Sequence, residues 1–245
     1  MNTYVARWVM VCVCASVTSM LADWNEGGPF KMHYPQLPDP MGWDVDVCHY
    51  MLADDWMCTF AGRIQQVHIW ISWTNDLVGV ITNVHLSIHN NFPGPPSRPL
   101  QLLWQDDFRV NEFSVRPYEM GLQGWYDPLS NWWRRPDHFG IYQINVGLKA
   151  SNPFEQIAGM IYWLDVRLDV VGGVAGWKTS RTNFLDDATV WDAGTGGGIW
   201  KELRDPLEPM RSLDMAFVID PLPEPVVAVV IMVVAVRGAC WRRKR

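Results

Sequence analysis

The chain has 245 residues, 49% of them hydrophobic, with 15 Trp, 17 Pro and 19 Gly and a formal net charge of −6. That apolar share is ample for a packed core and excludes a disordered chain. Between Asp23 and Asp220 stand 14 basic and 25 acidic residues; with no stripe of Lys and Arg to meet phosphates, this acidic body excludes a nucleic-acid partner.

The N-terminal stretch MNTYVARWVMVCVCASVTSMLADWNEGG carries Arg7, then an apolar run from Trp8 to Val17, then small residues before a polar, Gly-rich segment. This is the order of a secretory signal peptide, and the run is too short for a stable membrane span. Residues 1–22 are therefore expected to be removed after Ala22, with cleavage after Ser19 as the second choice. Of the five cysteines, only Cys48 and Cys58 fall in the body. In an exported domain they form one disulfide or remain two buried thiols, and the sequence leaves both open.

After a Pro- and Gly-rich segment from Trp24 to Asp44, apolar and polar residues alternate. In RIQQVHIWISW, Ile64, Val67, Ile69 and Ile71 contrast with Gln66, His68 and Ser72, the near period-two pattern of a half-buried strand. TNVHLSIHN sets Val84, Leu86 and Ile88 against His85, Ser87 and His89. GMIYWLDVRLDV places Asp165, Arg167 and Asp169 among apolar neighbours, and SLDMAFVID closes the domain. The stretches NNFPGPPSRP, GLQGWYDPLSN and DAGTGGGIW read as turn-rich links. Short strands at regular spacing between Pro and Gly predict an all-β fold, an antiparallel β-sandwich of jelly-roll type over residues 23–220.

Three groups of residues bear on chemistry. His68, His85 and His89 lie on the polar faces of predicted strands. Residues four apart on a strand have backbones about 13 Å apart, so His85 and His89 do not share one ion unless the strand bends, and hydrogen-bonded structural histidines are expected. Asp54 and Asp55, Asp106 and Asp107, and Asp186 and Asp187 form adjacent acid pairs. Such carboxylates serve calcium or a glycosidase elsewhere, but neighbours on a strand point to opposite faces, and turn-capping explains them more simply. Trp132 and Trp133, beside Arg134 and Arg135 in a predicted loop, are the candidate ligand contact, since exposed Trp faces near polar groups suit a sugar. No nucleophile elbow, phosphate loop or metal-spaced Cys pair occurs. No catalytic residue, metal or cofactor is expected, and the chain is not expected to be an enzyme.

The chain ends DPLPEPVVAVVIMVVAVRGACWRRKR. A helix from Val226 to Trp241 spans roughly 24 Å against a hydrocarbon core of ~30 Å; Arg237 snorkels to the headgroups and Trp241 suits the interface. The basic end stays inside, which places the body outside. LPEP, the apolar segment and the basic cluster together resemble the PEP-CTERM sorting signal of exported bacterial proteins. That resemblance implies recognition of Pro223, Glu224 and Pro225 by an exosortase, a membrane-embedded cysteine protease. It makes Arg242, Arg243, Lys244 and Arg245 the membrane stop and residues 221–245 the sorting signal.

The body is also similar to a family of uncharacterised exported domains that often carry this signal. The stretches that carry the likeness include PQLPDPMGWDVD, LADDWMCTFAGRIQQVHIWISW, LSIHNNFPG, LLWQDDF, GWYDP, YWLDV, GWKTS, DDATVW and LDMAFVI. The resemblance implies a β-rich exported fold and no transferable activity. The expected protein is held in the membrane by its C-terminal helix during sorting, then released or displayed at the cell surface in a structural or adhesive role. Extracellular polysaccharide is the further partner. The alternatives are a lectin-like carbohydrate-binding module and a surface enzyme acting on polysaccharide.

Overall fold

The computed structural model describes residues 22–194 and 196–221. The cleavage site region before Ala22, the Pro223–Pro225 motif, the apolar tail and the basic cluster lie outside the described residues.

In chain order the strands are β1 (Trp43–Asp46), β2 (Leu52–Met57), β3 (Gly62–Arg63), β4 (Gln66–Trp73), β5 (Val80–Phe92), β6 (Arg98–Arg109) and β7 (Phe113–Asp127). They continue as β8 (Trp132–Gly147), β9 (Glu155–Gln156), β10 (Ile161–Val171), β11 (Ala175–Lys178), β12 (Thr189–Asp192), β13 (Ile199–Glu202) and β14 (Phe217–Asp220). The expectation of an all-β fold holds for the described residues, where the one helical element is the 3-10 turn Thr74–Asp76.

Two six-stranded sheets carry the domain, in the orders β11-β1-β7-β8-β4-β14 and β13-β12-β2-β10-β5-β6, with β3 and β9 as a small separate pair. The alternation in β4 and β5 does what the pattern demands. Val67, Ile69 and Ile71 of the first sheet and Val84, Leu86 and Ile88 of the second are fully buried in one apolar cluster. Trp56 from β2 meets Phe217 from β14 edge to face, with ring centroids 6.2 Å apart, so the two sheets share that core.

Two features depart from the expected antiparallel sandwich. Strand β1 runs parallel to β7. In addition, β11 pairs with Ile71–Trp73 of β4 while β14 takes Gln66–Ile69 of the same strand, so β1, β7, β8, β4 and β11 close into a ring. The ring interior is polar. Ser72 Oγ donates to Gln123 Oε1 (2.8 Å), and His138 Nε2 lies 2.8 Å from Asp44 Oδ2, each contact joining strands that are not hydrogen-bonded neighbours.

Close curling needs small residues, because a side chain would hold the layers apart. A Cβ on Gly124 would stand 2.5 Å from the Trp43 ring, which is buried. Gly124→Ala is expected to destabilise the domain by about 1–3 kcal/mol, as overpacking does, and thermal unfolding of the variant checks this. The stretch Gly121–Asn131, expected to be a link, is largely strand: its residues through Asp127 belong to β7, and only 128–131 form the turn before β8.

Candidate functional site

The polar face of β5 expected from TNVHLSIHN is the floor of a cleft. Antiparallel register sets Ser87 opposite Asp165 of β10 and opposite Gln105 of β6. His89 Nε2 lies 2.9 Å from Asp165 Oδ2, and Ser87 Oγ donates to the same oxygen at 3.1 Å. Asp165 is fully buried, and its Oδ1 has no hydrogen-bond partner. Burial holds the Asp165 carboxyl above the ordinary carboxylate range, against the pull of His89 and Ser87. For His89, burial works against the charge, but the hydrogen bond and the charge of Asp165 prevail and raise its pKa.

Above this floor is a cavity of about 300 Å³ lined by Met51, His85, Leu100, Leu102, Trp191 and Trp200 in addition to the floor residues. Trp191 and Trp200 are directly opposed on β12 and β13, with ring centroids 5.2 Å apart at 61°. Trp200 also meets His89 edge to face at 6.4 Å. The glycine run after Asp192 is the hairpin turn that fixes this wall. Gly197 and Gly198 adopt φ of +102° and +79°, and a Cβ on Gly198 would stand 2.0 Å from the Trp191 ring. This is a groove with two aromatic faces and a carboxylate, an imidazole, a hydroxyl and an amide beneath them. Ser87 Oγ and His89 Nε2 thus converge on the same oxygen of Asp165, and the hydroxyl donates to the carboxylate.

Trp132 and Trp133 are 50% and 40% exposed, but they open β8 rather than sit in a loop, paired with Asp127 and Tyr126 of β7. Arg134 covers Trp132 with its guanidinium 5.9 Å from the ring centroid, and Trp133 meets buried Trp43 edge to face at 6.0 Å. A second, more polar cavity of about 200 Å³ lies beside them, lined in part by Trp43, Arg135, Asp39 and Asp205. The hairpin and the β5–β10 cleft belong to different sheets.

The three candidate histidines do not converge. His68 lies in the other sheet, buried against Asn145 Oδ1 at 2.7 Å. His85 meets Asp107 at 3.2 Å. Among the described residues, no group of three or more His, Cys, Asp or Glu is placed to hold a metal ion.

The acid pairs behave differently from one another. Lys149 meets Asp106 at 3.1 Å, and Asn83 donates to Asp107. Asp54 points inward, where it accepts from Gln36 Nε2 (2.8 Å) and from the Met215 N–H (2.7 Å). Asp55 points the other way, on the face of Trp163, fully buried with both oxygens unpartnered. Burial, then the charges of Asp214 and Asp186, push the Asp55 carboxyl up to about 9. Burial raises Asp214 to about 7 against hydrogen bonds from Phe184 and Ser212. Asp54 is also raised well above its usual range, by burial first.

Cys48 and Cys58 are free thiols. Cys48 Sγ faces the Ala175 carbonyl at 3.4 Å and Cys58 Sγ that of Phe60 at 3.2 Å. Burial pushes the Cys48 thiol up to about 12.

Fold and cleft together define an all-β domain with an aromatic-walled polar groove on one sheet. The chain belongs to the family described as a domain of unknown function (DUF7901), which matches residues 32–220. No curated protein and no solved structure matches it.

Proposed function

We propose that this domain is an exported, non-catalytic surface or extracellular-matrix module that holds carbohydrate in the cleft between Trp191, Trp200 and Asp165. The observation that carries this reading is the fully buried Asp165, whose Oδ1 meets no donor from the protein although it helps line a cavity with two Trp rings. A buried acceptor without a partner costs on the order of 1–3 kcal/mol, and a sugar hydroxyl supplies the missing donor. Trp faces stack on the apolar face of a pyranose while Gln105, His85 and His89 meet its hydroxyls. The layering of two six-stranded sheets supports a β-sandwich of jelly-roll type as the scaffold.

Binding of the full chain to a panel of bacterial polysaccharides, measured by glycan array and calorimetry, tests the reading. A Trp191→Ala, Trp200→Ala variant is expected to lose binding at least tenfold while Trp132→Ala, Trp133→Ala retains it. No binding to any polysaccharide, or binding indifferent to Trp191 and Trp200, overturns it. The reverse pattern selects the hairpin, which is favoured as a second reading by the exposure of both its Trp rings and the polar cavity beside Trp43.

The resemblance to PEP-CTERM signals supports sorting by an exosortase, with Pro223, Glu224 and Pro225 as the recognition motif and Arg242–Arg245 as the cytoplasmic stop. Protein recovered from its own host is expected to lack residues 1–22 and the tail beyond the motif. Intact mass is the check: a mass that still includes Arg242–Arg245 means a retained anchor.

A further inference from the structure

Lys178 and Asp44 are direct partners across the antiparallel pair β11 and β1, and both side chains are sealed from solvent. Lys178 Nζ is 2.9 Å from Asp44 Oδ2 and 3.2 Å from the Trp43 carbonyl. On the other side of Oδ2, His138 Nε2 stands at 2.8 Å. Its Nδ1 is tied at 2.8 Å to Asp137 Oδ2, and Asp137 is ion-paired with Arg134. Asp44 Oδ1 has no partner at all. Trp125 closes over His138 with ring centroids 6.3 Å apart, and Gly176 brings the backbone of β11 against Asp44.

The arrangement is an amine against a carboxyl carbon's leaving oxygen, with a proton donor on that same oxygen and no water-accessible path among the three side chains. We propose that Lys178 and Asp44 form an intramolecular isopeptide bond, with His138 as the catalytic proton donor.

The Lys178 ammonium first passes a proton to Asp44 Oδ2, which leaves a neutral amine beside a neutral acid. Nζ then bonds to Cγ. His138 delivers a second proton to Oδ2 as the Cγ–Oδ2 bond breaks and takes one back from the nitrogen. One ammonium and one carboxylate enter; one secondary amide and one water leave. The new amide N–H faces the Trp43 carbonyl, and Oδ1 becomes the amide oxygen.

The surroundings favour each step. Burial lowers the Lys178 pKa against the attraction of Asp44, so the neutral amine is within reach. The His138 pKa is raised, because the charge and hydrogen bond of Asp44 and that of Asp137 outweigh its burial, which keeps the donor protonated. Condensation replaces two buried charges with a neutral group, and a fully desolvated ion pair is costly to keep. Because Cys48 and Cys58 are free, the bond supplies a covalent tie between β1 and β11 that no disulfide among the described residues provides.

Tryptic mapping of the denatured full chain by mass spectrometry decides it. Expected is a branched peptide joining Met32–Arg63 to Leu168–Arg181, with a mass one water below the sum of the two and no cleavage after Lys178, whose amine is acylated. Cleavage after Lys178 with a linear Met32–Arg63 peptide carrying an unmodified Asp44 overturns the proposal. A His138→Gln variant is expected to lose most of the branched product within the same expression time while keeping its β-sheet circular dichroism. Full cross-linking in that variant removes the role given to His138. The wild-type map decides the bond whether or not the variant folds.

Discussion

Replacing Asp55 by Asn is expected to raise the unfolding midpoint at pH 8 and leave it nearly unchanged at pH 4. Asp55 is held near 9 and its neighbour Asp214 near 7 in the folded domain, against about 3.9 for an unfolded Asp. Between those limits the folded chain holds more protons than the unfolded chain, so stability falls as pH rises from about 4 towards 9. The contribution is present in full below the unfolded value and is lost as pH passes through the folded ones. Asn keeps the shape, carries no charge and removes the repulsion on Asp54 and Asp214. The gain at pH 8 is on the order of 3 kcal/mol or more, since each unit of displaced pKa is worth about 1.4 kcal/mol. Thermal or denaturant unfolding of both proteins at the two pH values measures it. An equal gain at both pH values, or a loss at pH 8, means that Asp55 is not a strained carboxylate.

How far the sequence discloses this molecule depends on where each strand's faces end up. Strands β4 and β5 alternate cleanly because one face of each meets the common apolar core, so their elements and inward residues are legible. Strands β7 and β8 are not. Their sequences FSVRPYEMGLQGWYD and WWRRPDHFGIYQINVG mix Pro, Gly and charge because one side of each faces the polar ring interior, where Gln123 and His138 find partners from distant strands. Period-two reasoning has no apolar face to detect there, which is why the end of β7 from Gly121 reads as a link and the start of β8 at Trp132 and Trp133 as a loop.

The cleft was half legible. His85, Ser87 and His89 stand out on β5, but Asp165 reads only as one of three charged residues set among apolar neighbours on β10. It is buried because its partner comes from another strand, while Arg167 on the same face is exposed. Trp191 and Trp200 were overlooked altogether. The signal was present: two Trp residues flank a run of glycines at a spacing that a β-hairpin turns into a directly opposed pair. Turn-capping does not describe Asp54/Asp55 and Asp106/Asp107, which lie within β2 and β6, while Asp186/Asp187 fall between β11 and β12. Nothing local announces that Asp55, Asp186 and Asp214 act on one another, because that depends on three separate segments.

The His89–Asp165 pair yields the second large effect. His89→Gln leaves a buried carboxylate whose remaining donor is Ser87, and breaking a buried pair from one side costs about 3–5 kcal/mol. The sign with pH follows from the two raised pKa values. The pair needs His89 protonated and Asp165 ionised, so its contribution fades as pH rises through the raised histidine value and also as pH falls through the raised carboxyl value. The carboxyl, already raised by burial, moves higher still without the imidazolium. The variant is therefore expected to lose several kcal/mol at pH 7 and clearly less near pH 4, where Asp165 takes up a proton. Adding Asp165→Asn to His89→Gln removes the stranded charge and is expected to recover most of the loss at pH 7, which urea unfolding of the four proteins in the cycle measures. A loss that is independent of pH, or one that the second substitution fails to relieve, means that His89 acts by packing against Trp200 and not by pairing with Asp165. If instead the double variant matches the wild type in stability yet no longer binds polysaccharide, the pair is dispensable to the fold. Its presence beneath two Trp rings is then explained by the ligand it orients.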